Sequence, residues 1–166
     1  MSTSIFFSHS NRDRKWCEWL AADADAIGVT AYLAEHDQNA GKQLAEKVKR
    51  NIDKCKALVV LLTDNSVSSS YVQQEIGYAI AKRKLVIPLV QPGIAKGDLA
   101  MLEGLEYIEF DFRNPRPAKD GLATELQRLA ERQRKQGELE TLIAVGLCIG
   151  ALVLLVNDGG LPAAGS

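Results

Sequence analysis

Short apolar runs alternate with segments of helical spacing along most of the chain, and this alternation restricts the fold more than any other feature of the sequence. The runs are rich in β-branched and aliphatic residues, which favours β-strands. They cover residues 4–8, 29–35, 57–63, 85–90 and 105–110. The runs that begin at 57 and 85 are apolar almost throughout, as central strands of a parallel sheet are.

The segments that follow most of these runs repeat apolar residues at helical intervals. Trp16, Leu20 and Ile27 do so in the first segment, and Gly28 then marks a helix end. The spacing predicts helices at 13–27, 42–54 and 71–82, a shorter piece at 99–102, and a last helix at 118–136. Strands and helices in alternation form βαβ units, so the expected fold class is α/β, with helices on both faces of a parallel sheet.

The size and charge of the chain limit its organisation and its partners. Its 166 residues suit one domain of ordinary size. The chain is 46% hydrophobic and 25% charged, with a formal net charge of -1, so no basic surface indicates nucleic acid. We therefore expect one hydrophobic core and no nucleic-acid partner.

The cysteines and the first residues indicate a compartment. Cys17, Cys55 and Cys148 are odd in number and far apart, and none belongs to a CxxC or Cys/His metal pattern. This favours a reducing compartment and predicts no metal site. The stretch MSTSIFFSHSNRD lacks the basic and apolar regions of a secretory signal, so we expect the folded part to stay in the cytosol.

A long uncharged run, TLIAVGLCIGALVLLV, covers residues 141–156. A helix that spans a bilayer needs about twenty apolar residues and a buried core helix roughly 10–14, so the run lies between the two lengths. Its flanks favour a membrane anchor, because basic residues precede it and none follows, which by the positive-inside rule places the larger part in the cytosol. The basic residues are Arg128, Arg132, Arg134 and Lys135.

The prediction is therefore a single C-terminal anchor. It divides the chain into a domain at 1–137, a membrane helix at 138–157 and a short tail at 158–166. The alternative is an apolar helix that docks on the domain or on a partner chain. Gly146 and Gly150 have a GxxxG spacing, which would let two such helices approach closely.

The loops that leave the strands are where a site is expected, because ligands of open parallel sheets bind at the carboxyl ends of the strands. The loops at 8–13, 36–41 and 64–70 are polar. They lack the GxGxxG of a dinucleotide fold, the full P-loop pattern around Gly41 and Lys42, and the GxSxG nucleophile elbow. A phospho-accepting receiver domain stays a weaker alternative, since Thr63 and Asp64 stand where that class needs an aspartate.

Tyr71 and Glu75 lie one turn apart on the helix predicted after the third strand. At about 100° per residue, the buried face of this helix spans about 80° to 180° from Tyr71. It carries Val72, Ile76, Ala79 and Ile80. Glu75 lies near 40°, at the edge of that face, where its carboxylate would be partly desolvated. Its pKa is therefore expected to rise unless a cationic group lies beside it. Such acids are candidate functional groups, although solvated helix glutamates and structural networks are common alternatives.

Four stretches of the chain, in order and at their spacings, resemble the Toll/interleukin-1 receptor (TIR) domain of bacterial and archaeal proteins. They are IFFSHSNRD, YLAEHDQNAGKQLAEKV, ALVVLLTDNSVSSSYVQQEIGYA and VIPLV, and the resemblance covers roughly residues 4–135. It implies a flavodoxin-like five-stranded parallel sheet of order 2-1-3-4-5. It also implies a BB loop that serves assembly, at His36, Asp37 and Gly41.

Many TIR domains cleave NAD⁺ at the nicotinamide–ribosyl bond with a glutamate in a WxxxE arrangement. The resemblance gives Glu75 the catalytic role and places Tyr71 at the tryptophan position. NAD⁺ would be the substrate, and no cofactor is expected. Attack by water would give ADP-ribose and attack from within the same molecule a cyclic ADP-ribose, and the sequence leaves both products open.

The resemblance also implies substrate contacts from the loop after the first strand. Tyr71 on the helix, and Phe7 or His9 at the end of the first strand, would stack on a ring or exclude water. Asn11 and Arg12 would contact phosphate or ribose groups. For His9 and Asn11, a purely structural role in the loop is an equal alternative, because polar loop residues can either bind a ligand or stabilise the loop itself.

The resulting prediction is a membrane-anchored NAD⁺ hydrolase or cyclase that serves signalling or antiphage defence, with its TIR domain in the cytoplasm. Copies would associate through their TIR domains, and the membrane would be contacted by residues 141–156. A non-enzymatic self-association module in signal transduction is the main alternative. A nucleoside deoxyribosyltransferase, whose fold and glutamate chemistry are similar, is a remoter one.

Overall fold

A computed structural model describes residues 3–34 and 41–158, and the side chains of all of these except 41–44, 96 and 148–158. Five parallel strands form one sheet in the order β2-β1-β3-β4-β5, which confirms the predicted order. The strands are β1 Thr3–Ser8, β2 Val29–Leu33, β3 Ala57–Leu62, β4 Leu85–Val90 and β5 Ile108–Glu109. The last strand is much shorter than the apolar pattern at 105–110 predicts, since it pairs with β4 only through Leu89 and Val90.

Helices follow the strands as the alternation predicts. They are α1 Arg14–Ala21, α2 Gly41–Lys54, α3 Ser70–Ala81 and α4 Arg116–Asp158, and short 3₁₀ helices lie at Asn11–Asp13, Asp25–Ile27 and Lys96–Leu102. The helix predicted at 13–27 is wrong in its second half. The chain there changes to hydrogen bonds three residues apart, from the Ala24 amide to the Ala21 carbonyl and from the Ile27 amide to the Ala24 carbonyl.

Each face of the sheet covers its own hydrophobic core, so the prediction of one core is wrong. Alternation along β1 sends Ile5 and Phe7 into one cluster and Phe6 into the other. The first cluster, which we call the α1/α4 face, contains residues of those two helices. The second, the α2/α3 face, contains residues of α2 and α3. Every residue of β3 is buried, as a central parallel strand requires.

The chain divides into two compact units. The first is Ser2–Ala130, which contains the sheet, and the second begins at Glu131. The two predicted helices at 118–136 and 138–157 fall within one helix, α4. Within the described part of the chain, no helix meets the length and hydropathy that a membrane crossing needs. Much of the predicted apolar run at 141–156 lies outside the residues whose side chains are described.

Candidate functional site

The helix α3 begins at the edge of the sheet where the strands end, which we call the carboxyl edge. The chain leaves β3 through a polar turn, and Ser69 caps the helix by accepting a hydrogen bond from the Val72 amide at 3.5 Å. The backbone adds a bond from the Gln73 amide to the Ser69 carbonyl at 3.0 Å. The helix thus begins at Ser70, one residue before the predicted start, and the first turns of α3 lie beside the loops that leave β1 and β3.

Glu75 is buried in the structure, with 5% of its side chain surface exposed. It shares the buried face of α3 with Val72, Ile76 and Ala79, a spacing of three and four residues. The predicted position of Ile80 on that face is wrong, because Ile80 is 42% exposed. The helix is rotated relative to the predicted orientation, so that the Glu75 carboxylate, rather than Ile80, occupies part of the buried face.

Ser8 provides a hydrogen bond to this carboxylate. Its hydroxyl donates to Oε2 of Glu75, and both side chains are buried. Ser8 is the last residue of β1, two positions after Phe6, so alternation directs it to the α2/α3 face on which α3 packs. Sequence reasoning did not select Ser8, although a polar residue that ends an apolar strand on the face of the candidate helix was a usable signal.

The pKa of Glu75 is raised to about 7. Burial is the main cause, because it disfavours the charged carboxylate, and the hydrogen bond from Ser8 acts in the opposite direction. This confirms the upward shift expected from the helix geometry. A carboxyl group with such a pKa changes its charge near neutral pH, as a group that takes part in acid–base or electrostatic chemistry often does.

Asp13 is a second buried carboxylate at the carboxyl edge, and it lies in a different hydrogen-bond network. Its Oδ2 accepts from the hydroxyls of Ser10 and Thr63, both at 2.7 Å, and its Oδ1 accepts from the Asn65 amide nitrogen at 2.9 Å. Thr63 follows Leu62 of the α2/α3 face, so alternation turns it to the α1/α4 face. The network joins the loop after β1 to the loop after β3.

The predicted substrate contacts occupy different surroundings. Phe7 is fully buried in the core of the α1/α4 face, so the structure does not bring its ring beside Glu75. Tyr71 is 45% exposed, one turn before Glu75 on α3. His9 is buried next to Ser8, and its Nδ1 lies 2.7 Å from the Ser10 carbonyl oxygen.

The remaining predicted site residues lie on the loops. Asn11 and Arg12 are exposed on the 3₁₀ helix Asn11–Asp13, at the carboxyl edge. His36 and Asp37 lie outside the described residues, and Gly41 is the first residue of α2. The roles that the sequence gives to these residues stay predictions.

A cavity of about 610 Å³ adjoins the carboxyl end of β4. Its lining is largely apolar, lies between Val90 and Glu109, and includes the polar residues Gln91, Glu103 and Glu109. The Gln91 side chain forms two hydrogen bonds with Asp64. Its Oε1 accepts from the Asp64 backbone amide at 3.1 Å, and its Nε2 donates to Oδ2 of Asp64 at 3.0 Å. Sequence reasoning did not identify this cavity. Within residues 3–34 and 41–158, no group of acidic, histidine and cysteine side chains is arranged to hold a metal ion.

Comparison with known proteins shows one family and one fold. The model of the TIR domain family matches residues 5–140. No curated protein sequence matches the chain. Among solved structures, the TIR domain of a Toll-related receptor from Hydra magnipapillata is 14% identical, with a TM-score of 0.52, and the match covers 80% of this chain and 95% of that one.

Two other solved structures with this fold are enzymes by name. A CMP N-glycosidase from Clostridium botulinum is 15% identical, with a TM-score of 0.55, and the match covers 73% of this chain and 99% of that one. A 2-desoxiribosyltransferase from Leishmania mexicana is 16% identical, with a TM-score of 0.51, and the match covers 68% of this chain and 93% of that one. At these identities the likeness shows a shared fold.

Proposed function

Because the chain belongs to the TIR domain family, we propose that it cleaves NAD⁺ at the bond between nicotinamide and ribose, with Glu75 as the catalytic carboxylate. One observation carries the proposal. Glu75 is a buried acid at the carboxyl edge, held by Ser8, with a pKa near neutral. Ligands of open parallel sheets bind at this edge, so the acid lies where the fold offers a site.

The chemistry of the bond explains the need for a carboxylate. Nicotinamide leaves NAD⁺ as a neutral molecule, so positive charge develops on the ribose ring as the bond breaks. An ionised Glu75 next to the ribose stabilises that oxocarbenium character and accepts hydrogen bonds from the ribose hydroxyls. The low polarity that raises the pKa of Glu75 also strengthens its interaction with the developing cation.

The enzymes that share the fold support the class of reaction. An N-glycosidase and a desoxiribosyltransferase are both named for chemistry at a bond between a base and a sugar. Cleavage of nicotinamide from ribose is the same kind of step. The similarity establishes the fold alone, so the assignment of Glu75 rests on its position and surroundings in this chain.

Exposed groups at the carboxyl edge are suited to the rest of the substrate. Arg12 carries a guanidinium group, which can form paired hydrogen bonds with a pyrophosphate, and Asn11 offers an amide to the ribose hydroxyls. In this proposal Tyr71 lies along the path by which a ring reaches Glu75, since it is partly exposed one turn away. NAD⁺ is the substrate, and the reaction needs no cofactor.

Membrane attachment through residues 141–156 completes the proposal. Basic residues between 128 and 135 precede the apolar run, which by the positive-inside rule supports a TIR domain on the cytoplasmic side. Tethering raises the effective concentration of TIR domains that associate with one another, which suits a role in signalling or antiphage defence. Recovery of the full chain in the soluble fraction without detergent would contradict the attachment.

The experiment is a nicotinamide-release assay on the full chain, in detergent and on liposomes. The wild type should release nicotinamide from NAD⁺, and Glu75→Gln should lower the rate by about 1000-fold, the usual order for loss of a transition-state electrostatic contact. Glu18→Gln is the matched control, because Glu18 is an exposed acid that pairs with Arg14. Release by Glu75→Gln at the wild-type rate would remove Glu75 from the mechanism. No release by the wild type on liposomes would favour the non-enzymatic module.

A further inference from the structure

We propose that Ser8 is a positioning residue for Glu75, whose buried hydroxyl donates to Oε2 and holds the carboxylate in its ionised, ribose-facing state. The inference rests on the proposed function for the role of Glu75. The effect of the Ser8 hydrogen bond on the ionisation of Glu75 does not depend on which substrate is bound. Ser8 acts through Glu75 and touches no reacting atom in this account.

Ser8 lies on an interior strand of the sheet. Ser8 ends β1, a strand with neighbours on both sides, and it pairs in register with Val60 of the wholly buried β3. Its side chain is fully buried, so its orientation is restricted by packing. A donor on a central strand positions a partner more accurately than a donor on a loop does.

The direction of the hydrogen bond determines what Ser8 does. A hydroxyl that donates to a carboxylate favours the charged form, whereas burial favours the neutral form. The two effects are opposed at Glu75, and burial is the larger. Ser8 therefore keeps a fraction of Glu75 ionised near neutral pH that burial alone would protonate.

Other titratable groups lie on the elements that pack against α3. Helix α3 contacts β1, β3, β4 and α2. Strands β3 and β4 consist of apolar residues, and β1 is followed by His9. The described charged residues of α2 are Glu46, Lys47, Lys49, Arg50, Asp53 and Lys54. Because a histidine ordinarily titrates near the same pH as this Glu75, a rate profile alone cannot separate His9 from Glu75.

The test therefore observes the Glu75 carboxyl carbon directly. The full chain is labelled with ¹³C at the glutamate side-chain carboxyls, and the Glu75 signal is assigned by its loss in Glu75→Gln. Its titration midpoint should lie near 7 in the wild type. In Ser8→Ala it should rise by about one pH unit, the order expected for loss of a hydrogen bond to a charged group. At pH 7 this lowers the ionised fraction, and with it the rate of nicotinamide release, by about fivefold.

Two further variants separate positioning from packing. Ser8→Thr keeps the hydroxyl and should restore the midpoint. Ser66→Ala is the matched control, because Ser66 is another fully buried serine at the carboxyl edge whose hydroxyl donates to the Leu61 carbonyl at 2.7 Å. It should lower stability and leave the Glu75 midpoint unchanged.

The outcomes distinguish this inference from the proposed function. A raised midpoint in Ser8→Ala without nicotinamide release by any variant would support the Ser8 contact and overturn NAD⁺ cleavage. Release by the wild type with the same midpoint in Ser8→Ala would support cleavage and overturn the role of Ser8. Equal midpoint shifts in Ser8→Ala and Ser66→Ala would also overturn it, since general loosening would then explain both.

Discussion

Asp13 and Glu75 are two buried carboxylates at the same edge of the sheet, and their surroundings differ. Asp13 lies immediately before α1, where side-chain donors from the loops after β1 and β3 converge on it. Glu75 lies on the α2/α3 side among apolar residues of its own helix, with Ser8 as a donor. Burial predominates at Glu75 and raises its pKa to about 7.

The comparison shows that two buried carboxylates at the same edge of the sheet can have different roles, depending on how many donors surround them. A buried carboxylate with several donors connects the segments that supply them, and its removal leaves those donors without their partner. A buried carboxylate for which desolvation outweighs hydrogen bonding is costly to ionise, and that cost is what makes it reactive near neutral pH. Asp13 is accordingly a structural acid in this comparison, and Glu75 is the candidate functional acid.

Of the changes that compare the two acids, shortening the functional acid should have the largest effect. Glu75→Asp keeps the charge but withdraws the carboxylate by one methylene from Ser8 and from the substrate. We expect nicotinamide release to fall by about 100- to 1000-fold, because a catalytic charge must lie within hydrogen-bond reach of the group it stabilises. Full-chain kinetics on liposomes measure it. A loss below about threefold would indicate that Glu75 does not act on the ribose.

Removal of the structural acid should instead reduce stability. Asp13→Ala deprives Ser10, Thr63 and Asn65 of their acceptor, so we expect the free energy of unfolding to fall by about 4 kcal/mol. Urea denaturation of the full chain measures it. Asp98→Ala, at an exposed acid, serves as the control and should change stability by less than about 0.5 kcal/mol.

Glu75→Gln should have the opposite effect on stability above neutral pH. The pKa of Glu75 is raised from 4.5 to about 7, so between these values the folded state binds more protons than the unfolded state. Its contribution to stability is therefore fully present below pH 4.5 and is lost as the pH rises through 7. The free energy of unfolding of the variant, relative to that of the wild type, should therefore be about 3 kcal/mol more favourable to folding at pH 8.5 than at pH 4.5. Parallel stability curves for the two proteins would show that Glu75 is not desolvated.

The rate of NAD⁺ cleavage should depend on pH with a defined sign. In the proposed mechanism the ionised form of Glu75 stabilises the oxocarbenium, so kcat/KM for NAD⁺ should rise with a midpoint near 7. Between pH 6 and pH 8 the increase should be about tenfold. Rates measured in buffers of constant ionic strength check it, alongside the ¹³C titration of the Glu75 carboxyl. A rate midpoint that departs from the carboxyl midpoint would assign the pH dependence to another group, and a rate that falls in step with ionisation of the carboxyl would give Glu75 the role of an acid.

The smallest effect should come from removing one donor of the structural acid. Asn65→Ala leaves Asp13 with the hydroxyls of Ser10 and Thr63, so we expect a loss of about 1 kcal/mol in the free energy of unfolding. Differential urea denaturation measures it. A loss as large as that of Asp13→Ala would mean that Asn65 alone holds the network.

Much of the fold was predictable because strands and helices repeat with different periods. The pattern located β1, β3, β4, α2 and α3 within a residue or so of their observed ends. It failed at β5, where apolar residues extend beyond the two that pair with β4, and at the end of α1, where the chain changes to 3₁₀ geometry. Both failures lie at the margins of the sheet, where tertiary pairing outweighs local propensity.

The candidate site was predictable in part for the same reason. The spacing of α3 identified Glu75 as an acid at the edge of a buried face, and the upward direction of its pKa followed. It did not reveal Ser8, which is 67 positions away in the chain, nor the bond between Thr63 and Asp13, 50 positions apart. Local periodicity shows on which face of its helix or strand a residue lies, but it does not show which residue from a distant part of the chain contacts it.

The sequence by itself determined the alternation of strands and helices, most of the apolar face of α3 and the presence of an acid at the edge of that face. The tertiary structure decided which of its polar residues meet, because strand order and register bring the end of β1 between β2 and β3 and under α3. It also decided the ionisation of Glu75, since desolvation depends on the packing of several elements at once. The physical reason is the range of the interactions: backbone propensity and periodicity act over a few residues, whereas burial and side-chain hydrogen bonds join segments that only the folded chain brings together.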